Sequence, residues 1–404
     1  MGGMAVLIGM LEILSRQFSN AEIGVLCHHY KRDRPILQRI LRKYGVTLIK
    51  HPWYSERSNR ISTLIAIALP AFFFFVKSLF VKLNAINRHK SVFGRYDVVI
   101  DSSVDGYSEY YQGWFAPFFM LFNDLCATLA SKQVVVIGAS IPYYNNIVLR
   151  QLAKSILNRA SLITLRDHAS RKNLEIMGVD KPRIEVTADL GFVMPPEKSD
   201  ILNTLLNKSG VDESAILLGF NITRNNPYLA GTTTYLSYLA SMIDWLIDKL
   251  DCHVIIIPSV YEVEYANDIQ QLVQKVKRQE NLIRIYDQDL TAGEVKGIIV
   301  RCSLVIGSMF HPCVAAVSSG VPTIAIATYG SYKFHGILGD MLKIKDYIVD
   351  FEGSDYALLD KQLKATIMKA WGNRAAIRQH LLDQSEELKQ KCYLNGLLLK
   401  EAII

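Results

Sequence analysis

Short runs of β-branched and apolar residues that stop abruptly at a glycine or a polar side chain, each followed by a helical stretch, recur along almost the whole chain. Tyr96-Asp-Val-Val-Ile-Asp101, Gln133-Val-Val-Val-Ile-Gly138 and His253-Val-Ile-Ile-Ile-Pro258 are examples. Runs that are apolar on both faces suit strands of a parallel sheet covered by helices on its two sides. The first series places strands over 22–27, 46–49, 96–101, 133–138, 162–165 and 184–187, with helices over 35–44, 114–129, 149–159 and 169–177 between them. After Pro195-Pro196 the pattern restarts, with strands over 216–222, 253–258, 282–286, 304–306 and 323–327 separated by helices over 235–250, 265–278, 292–302 and 313–319. Two such series predict an α/β protein of two Rossmann-like, doubly wound domains facing across a cleft. Their expected extents are 1–196 and 197–370, with a last helix over 371–404 packing back on the domains.

A chain of 404 residues with 50% apolar and 21% charged content can bury two cores, which excludes disordered and fibrous classes. Its 45 Lys and Arg against 38 Asp and Glu give a charge of +7, spread without basic blocks. No nucleic-acid partner is expected, while an acidic substrate or an anionic membrane surface suits the balance. The six cysteines (Cys27, Cys126, Cys252, Cys302, Cys313, Cys392) include no CxxC pair and no zinc-finger histidines, so they read as buried, reduced thiols of a cytoplasmic protein. The chain opens on a helical apolar period, Val6, Met10, Ile13 and Leu14, with no secretory leader pattern and no first strand.

Ile61–Val81 is the strongest membrane signal: sixteen uncharged residues precede Lys77, Pro70 interrupts them, and bases flank both sides. A spanning helix needs roughly 20 apolar residues. The segment reads first as a hairpin touching the membrane surface, next as a buried core helix, and last as a span.

In open parallel sheets ligands bind beyond the carboxyl ends of the strands, so the residues just after each strand are the site candidates. Gly307-Ser-Met-Phe-His311 follows one strand, and His311 at the mouth of the next helix can exchange a proton near neutral pH, with Ser308 beside it and backbone amides favouring an anion; the rival reading is a capping or packed histidine. Lys333, set among Tyr329, Tyr332 and Phe334, can aim its ammonium at a phosphate or carboxylate, or be an ordinary surface lysine. Arg166, directly after Leu162–Leu165, can fork two donors onto an anion, or pair with a neighbouring carboxylate. Asn221 and Arg224 follow the first strand of the second series, Ser140 follows Gly138, and Asp105 can orient sugar hydroxyls, act as a base or belong to a capping network. No metal-ligand spacing, GxGxxG, GxxxxGKS or GxSxG motif is present, so neither a metal nor a cofactor is expected.

The order of Asp101–Tyr111 (DSSVDGYSEYY), Gly138–Pro142 (GASIP), Leu165–Ser170 (LRDHAS), Asp189–Phe192 (DLGF), Gly219–Thr223 (GFNIT), Ile257–Tyr261 (IPSVY) and Leu304–Gly336 resembles the polysaccharide pyruvyl transferase family. The resemblance implies a GT-B-like pair of domains and transfer of a pyruvyl group from phosphoenolpyruvate to a saccharide hydroxyl pair, forming a ketal in cell-envelope or exopolysaccharide biosynthesis. It implies His311 as the proton-handling residue, with Arg166 and Lys333 matching the family's cations. Ser308, Tyr332, Asn221, Arg224, Ser140 and Asp105 are the expected substrate-binding residues, and a lipid-linked saccharide the expected acceptor, met at the inner face of the cell membrane.

Departures are visible too: Met309 stands where the family has an arginine two positions before the histidine, Gly3 replaces an aspartate, and Ser259 stands where a histidine is common. Losing one charge-assisted contact costs roughly 1.5–3 kcal/mol. Two other readings therefore stand beside the first: a GT-B glycosyltransferase using a nucleotide sugar, and a catalytically silent saccharide-binding relative.

Overall fold

The computed structural model describes residues 2–27, 30–50, 92–109, 113, 115–130, 133–198, 200–208, 210–212, 214–221, 232–257, 263–285, 290–328, 333–351 and 355–403. Arg224, Tyr332 and the apolar segment Ile61–Val81 lie outside them. Among the described residues no helix is long and apolar enough to cross a membrane.

The chain forms two compact units that do not follow chain order. The N-terminal unit comprises Ile13–Thr187 and Leu394–Ile404, and the C-terminal unit Met1–Glu12 and Ala188–Tyr393. Helix α1 (Gly2–Gln17) and the last helix, α12 (Arg374–Ile403), thus each contribute residues to both. The apolar period read from the opening residues is a buried stripe: Val6, Met10, Ile13 and Leu14 are all buried.

In the N-terminal unit, strands β1 (Gly24–Cys27) and β2 (Thr47–Lys50) pair in parallel on either side of α2 (Tyr30–Tyr44). A four-stranded parallel sheet runs β3-β4-β5-β6: Val98–Asp101, Gln133–Ala139, Leu162–Leu165 and Arg183–Val186. The crossovers are helices α3 (Phe115–Ala130), α4 (Ile147–Leu157) and α5 (His168–Met177). Their apolar faces meet β4 and β5 in a core that includes Leu121, Val136, Ile141, Leu149, Ile163 and Leu174. Polar side chains fix the helix starts: Asn146 caps α4 and Asp167 caps α5, while Gly178 closes α5 in the left-handed conformation. The end of α12 belongs to this unit, where buried Asn395 Oδ1 accepts hydrogen bonds from Thr164 Oγ1 (2.5 Å) and Thr187 Oγ1 (3.2 Å).

The C-terminal unit is built on six parallel strands in the order β12-β11-β10-β7-β8-β9. These are β7 (Leu217–Asn221), β8 (His253–Ile256), β9 (Leu282–Arg284), β10 (Leu304–Gly307), β11 (Thr323–Thr328) and β12 (Ile348–Phe351). The helices between are α6 (Asp200–Lys208), which leads into β7, then α7 (Thr232–Leu250), α8 (Val263–Lys275), α9 (Ala292–Ile299) and α10 (Phe310–Val317), with α11 (Tyr356–Gly372) after β12. Chain order runs outward from β7 in one direction and then from β10 in the other, so the winding reverses between those two strands.

The break between the units falls at Thr187/Ala188, ahead of the expected boundary at Pro195-Pro196. Hydrogen bonds give the reason. The Lys296 ammonium on α9 donates to Met194 O (2.7 Å), and Glu197 N donates to Gly293 O (2.9 Å), so the proline segment is fastened to the C-terminal unit. Strand β12, helix α6 and a π-helical stretch over Phe334–Met341 were not foreseen, and α10 begins at Phe310 where the sequence pattern suggested Cys313. All six cysteines are free and buried, as expected.

Candidate active site

The winding reversal of the C-terminal unit brings the ends of β7 and β10 side by side, with Gly307 paired opposite Asn221. Asn221 is fully buried and joins the two: its side-chain Oδ1 accepts from Met309 N (2.9 Å) and its backbone O from Ser308 N (3.3 Å). A side-chain carbon at Gly307 would sit 2.7 Å from Asn221 Oδ1, so this turn needs a glycine at that place. Asn221 and Ser308 are thereby structural as well as polar, and they set where α10 begins. Met309 occupies the N-cap of α10 with no side-chain cap bond, leaving His311 in the helix's first turn. Capping is therefore not the role of His311.

The imidazole is mostly enclosed, its side chain 12% exposed. Its ring meets Phe310 edge-on at 5.4 Å, and its Nδ1 edge packs against Gly2. Nε2 lies 3.9 Å from Oδ2 of Asp189, a carboxylate with no solvent exposure. Asp189 is itself held: its Oδ1 accepts from Gly191 N (2.8 Å), opening the 3-10 turn Leu190–Phe192, and its backbone O accepts from the Cys392 thiol (3.2 Å). Burial and the adjacent carboxylate push the Cys392 thiol well above its usual range, so it acts here as a neutral donor. An Asp beside a His favours one ring tautomer and stabilises the protonated ring. Asp189 opens the stretch Asp-Leu-Gly-Phe, and nothing local in the sequence marks it, because His311 is far away along the chain.

Lys333 immediately precedes the π-helical stretch after β11 and is 7% exposed. Its Nζ lies 5.2 Å from the centroid of the Phe310 ring, and Phe310 meets Phe334 edge-on at 5.5 Å. One buried phenylalanine thus has the imidazole on one side and an ammonium over its face. His311, Lys333, Ser308 and Asn221 all belong to the carboxyl edge of this sheet, as expected.

The carboxyl edge of the N-terminal unit has another character. In β4 the register against β5 shifts between Val136 and Ala139, with Gly138 at φ +66° donating its N–H to Thr164 Oγ1 (2.9 Å). Such a bulge re-aims the residues that follow, and here Ala139 O accepts from Arg166 N (3.1 Å). Arg166 has no exposed surface. Its Nε donates to Ser140 Oγ (2.7 Å), its Nη2 pairs with Asp105, and Ser140 Oγ in turn donates to Asp167 Oδ2 (2.7 Å). The chain of groups ends at Asp105, whose side chain keeps 21% exposure. Arg166, Ser140 and Asp105 are therefore brought together, with the guanidinium fully enclosed and paired with a carboxylate. Loop residues Asp101–Tyr107 add Asp101, whose Oδ2 accepts from the Tyr107 hydroxyl (2.8 Å).

Among the described residues no group of three His, Cys, Asp or Glu is placed to hold a metal ion.

Comparison with solved structures shows the fold. The chain is similar to MnaA of S. aureus bound to UDP (TM-score 0.60, 11% identity, covering 96% of this chain and 89% of that one). It is likewise similar to HepE (Alr3699) of Anabaena in complex with UDP and glucose (0.57, 12%, 98% and 95%) and to the UDP-GlcNAc 2-epimerase of Neisseria meningitidis bound to UDP-GlcNAc (0.55, 11%, 100% and 97%). These likenesses establish a GT-B-type α/β architecture. Among curated proteins it is 20% identical over 274 residues to the amylovoran biosynthesis protein AmsJ of Erwinia amylovora; the match takes in 66% of this chain and spans 64% of that relative's length. The family model for polysaccharide pyruvyl transferase matches residues 1–329, which contain every strand-end group described above except Lys333. The chain belongs to the polysaccharide pyruvyl transferase family.

Proposed function

We propose that the protein transfers the pyruvyl group of phosphoenolpyruvate to a pair of hydroxyls on a saccharide, forming a ketal during cell-envelope or exopolysaccharide biosynthesis. The observation that carries this reading is His311, backed by buried Asp189 and flanked through Phe310 by Lys333, in the first turn of a helix at the winding reversal of a doubly wound sheet. Phosphoenolpyruvate is a small anion whose methylene carbon must gain a proton before its neighbouring carbon becomes electrophilic. In the proposed sequence His311 delivers that proton, one saccharide hydroxyl adds to the electrophilic carbon, and the second displaces inorganic phosphate to close the ketal. Lys333 and the amides at the start of α10 face the negative charge of the donor. In the N-terminal unit, Asp105 receives the acceptor hydroxyls as a carboxylate positioned by Arg166, in place of the direct anion clamp that the family resemblance implied for that arginine. Ser140 then acts through Arg166, and Asn221 by fixing the turn before His311.

The amylovoran protein supports an exopolysaccharide setting, and the apolar sequence of Ile61–Val81 supports extending the proposal to a lipid-linked acceptor at the inner face of the membrane. A second reading has its own support, since neighbours of similar fold bind UDP and a UDP-sugar. Thermal-shift titration with phosphoenolpyruvate and with UDP-sugars, followed by phosphorus NMR of the enzyme incubated with phosphoenolpyruvate and acidic-polysaccharide precursors, separates the two. Stabilisation by phosphoenolpyruvate and acceptor-dependent phosphate release are expected. Stabilisation by UDP-sugars alone would assign a glycosyltransferase, and saccharide binding without turnover the silent relative that Met309 favours.

A further inference from the structure

The acidic edge of the N-terminal unit contains a carboxyl group buried too deeply to meet a substrate. Asp124 lies on the inward face of α3, an otherwise largely apolar helix. Its Oδ2 is 2.6 Å from the hydroxyl of Tyr107, a side chain with no solvent exposure, and the same hydroxyl lies 2.8 Å from Asp101 Oδ2. A phenol has one proton. It can donate to one of these oxygens, and the other contact is a hydrogen bond only if a carboxylic acid donates back to the phenol oxygen. Asp101 is the poorer candidate for that proton, because its Oδ1 already accepts from both the amide (2.7 Å) and the hydroxyl of Ser103, donors that favour an ionised carboxylate. Asp124 accepts no such pair; burial and the nearby Asp101 charge raise its pKa well above the usual carboxyl range.

What this group fixes is a loop under strain. Val104 takes the left-handed conformation, φ +54°, which is costly for a β-branched residue and persists only where surroundings dictate it. The loop is pinned there by Gly106 N donating to Ser103 O (2.8 Å), by Ser140 N donating to Val104 O (3.0 Å) and by the Tyr144 hydroxyl donating to Tyr107 O (2.8 Å). Asp105 is the next residue, and it pairs with Arg166.

We propose that Asp124 is a neutral carboxylic acid which, by donating to Tyr107 as Tyr107 donates to Asp101, holds the Asp101–Tyr107 loop in its strained form and so positions Asp105. It is a positioning residue, not a catalytic one, and only the link to turnover rests on the proposed pyruvyl transfer. Asn can donate and accept as a carboxylic acid does, whereas Leu can do neither.

In infrared difference spectra at neutral pH, wild type minus Asp124→Asn should show the carbonyl stretch of a protonated carboxylic acid; its absence overturns the proposal. Amide hydrogen exchange at Gly106 and Ser140 should stay near wild type in Asp124→Asn and speed up at least tenfold in Asp124→Leu, or in Tyr107→Phe should the Leu variant fail to fold. Equal exchange in the Asn variant and the disruptive variants would also overturn it. If these two results hold and the saccharide KM of Tyr107→Phe does not rise, the assignment of Asp105 to the acceptor fails while the proton inventory stands.

Discussion

The two units present strand ends of the same construction and opposite chemistry. At the C-terminal unit's edge an imidazole and an ammonium flank Phe310, with one buried carboxylate behind the imidazole. At the N-terminal unit's edge four carboxyl groups, those of Asp101, Asp105, Asp124 and Asp167, gather around one enclosed guanidinium and a phenol. The backbone supplies the position in both cases; the sign of the charge is supplied by which side chains are left with exposed surface. A cation whose partners are all internal cannot serve an anion from solution, and a carboxylate supported by such a cation can serve a hydroxyl.

The largest effect should follow from removing the proton-handling group at the cationic edge. His311→Ala is expected to lower kcat by about 10²–10⁴-fold with circular dichroism unchanged, and retention of full activity would refute its role. At the acidic edge Arg166→Met should instead act through stability, costing about 3 kcal/mol in denaturant unfolding because it strips a cation from Asp105 and a donor from Ser140 Oγ. A loss of phosphoenolpyruvate affinity at unchanged stability would restore Arg166 to the anion-clamping group. Third, Met309→Arg adds a cation beside His311 and should tighten phosphoenolpyruvate by roughly tenfold, read as KM or by calorimetry; no change would mean that position 309 does not face the donor.

The smallest effect concerns Lys296, buried on α9 with its ammonium donating to Met194 O and Ser318 Oγ. Desolvation, helped by Lys389, lowers its pKa to about 7. Between that value and the ordinary lysine range the unfolded chain binds more protons than the folded one, so this residue makes stability rise with pH across that window. The stability difference between wild type and Lys296→Met should accordingly shift in favour of wild type between pH 7 and pH 9, and parallel curves would discount the buried charge.

Most strands were legible because a β-branched run ending at a polar residue is a local signal, as in β4, β5 and β10. Strand β12 escaped because Ile348-Val-Asp-Phe351 is short and carries an aspartate, and its place is set by pairing with β11. The place of His311 after β10 is legible in the sequence, yet its neighbour Asp189 is not, since a carboxylate opening a 3-10 turn looks the same in sequence whether or not an imidazole packs near it. For Arg166 the sequence leaves an anion clamp and a pairing with a carboxylate both open, and the side chain is enclosed and paired with Asp105; Leu-Arg-Asp-His-Ala-Ser does not tell a solvent-facing arginine from an enclosed one. Asp124 and Tyr107 were invisible as a pair, because their meeting depends on how α3 rotates against β3 and β4.

Helix α12 ends inside a unit that most of the preceding two hundred residues do not belong to. Its Asn395 satisfies two threonine hydroxyls, and Arg183 pairs with Glu401 (2.6 Å). A fragment cut after Thr187 would therefore lack its own closing piece, and clipping the final eleven residues, 394–404, should loosen β5 and β6 rather than the neighbouring segments of the chain. Affinity handles and fusion partners spliced into that helix would strip the N-terminal unit of the same closing piece.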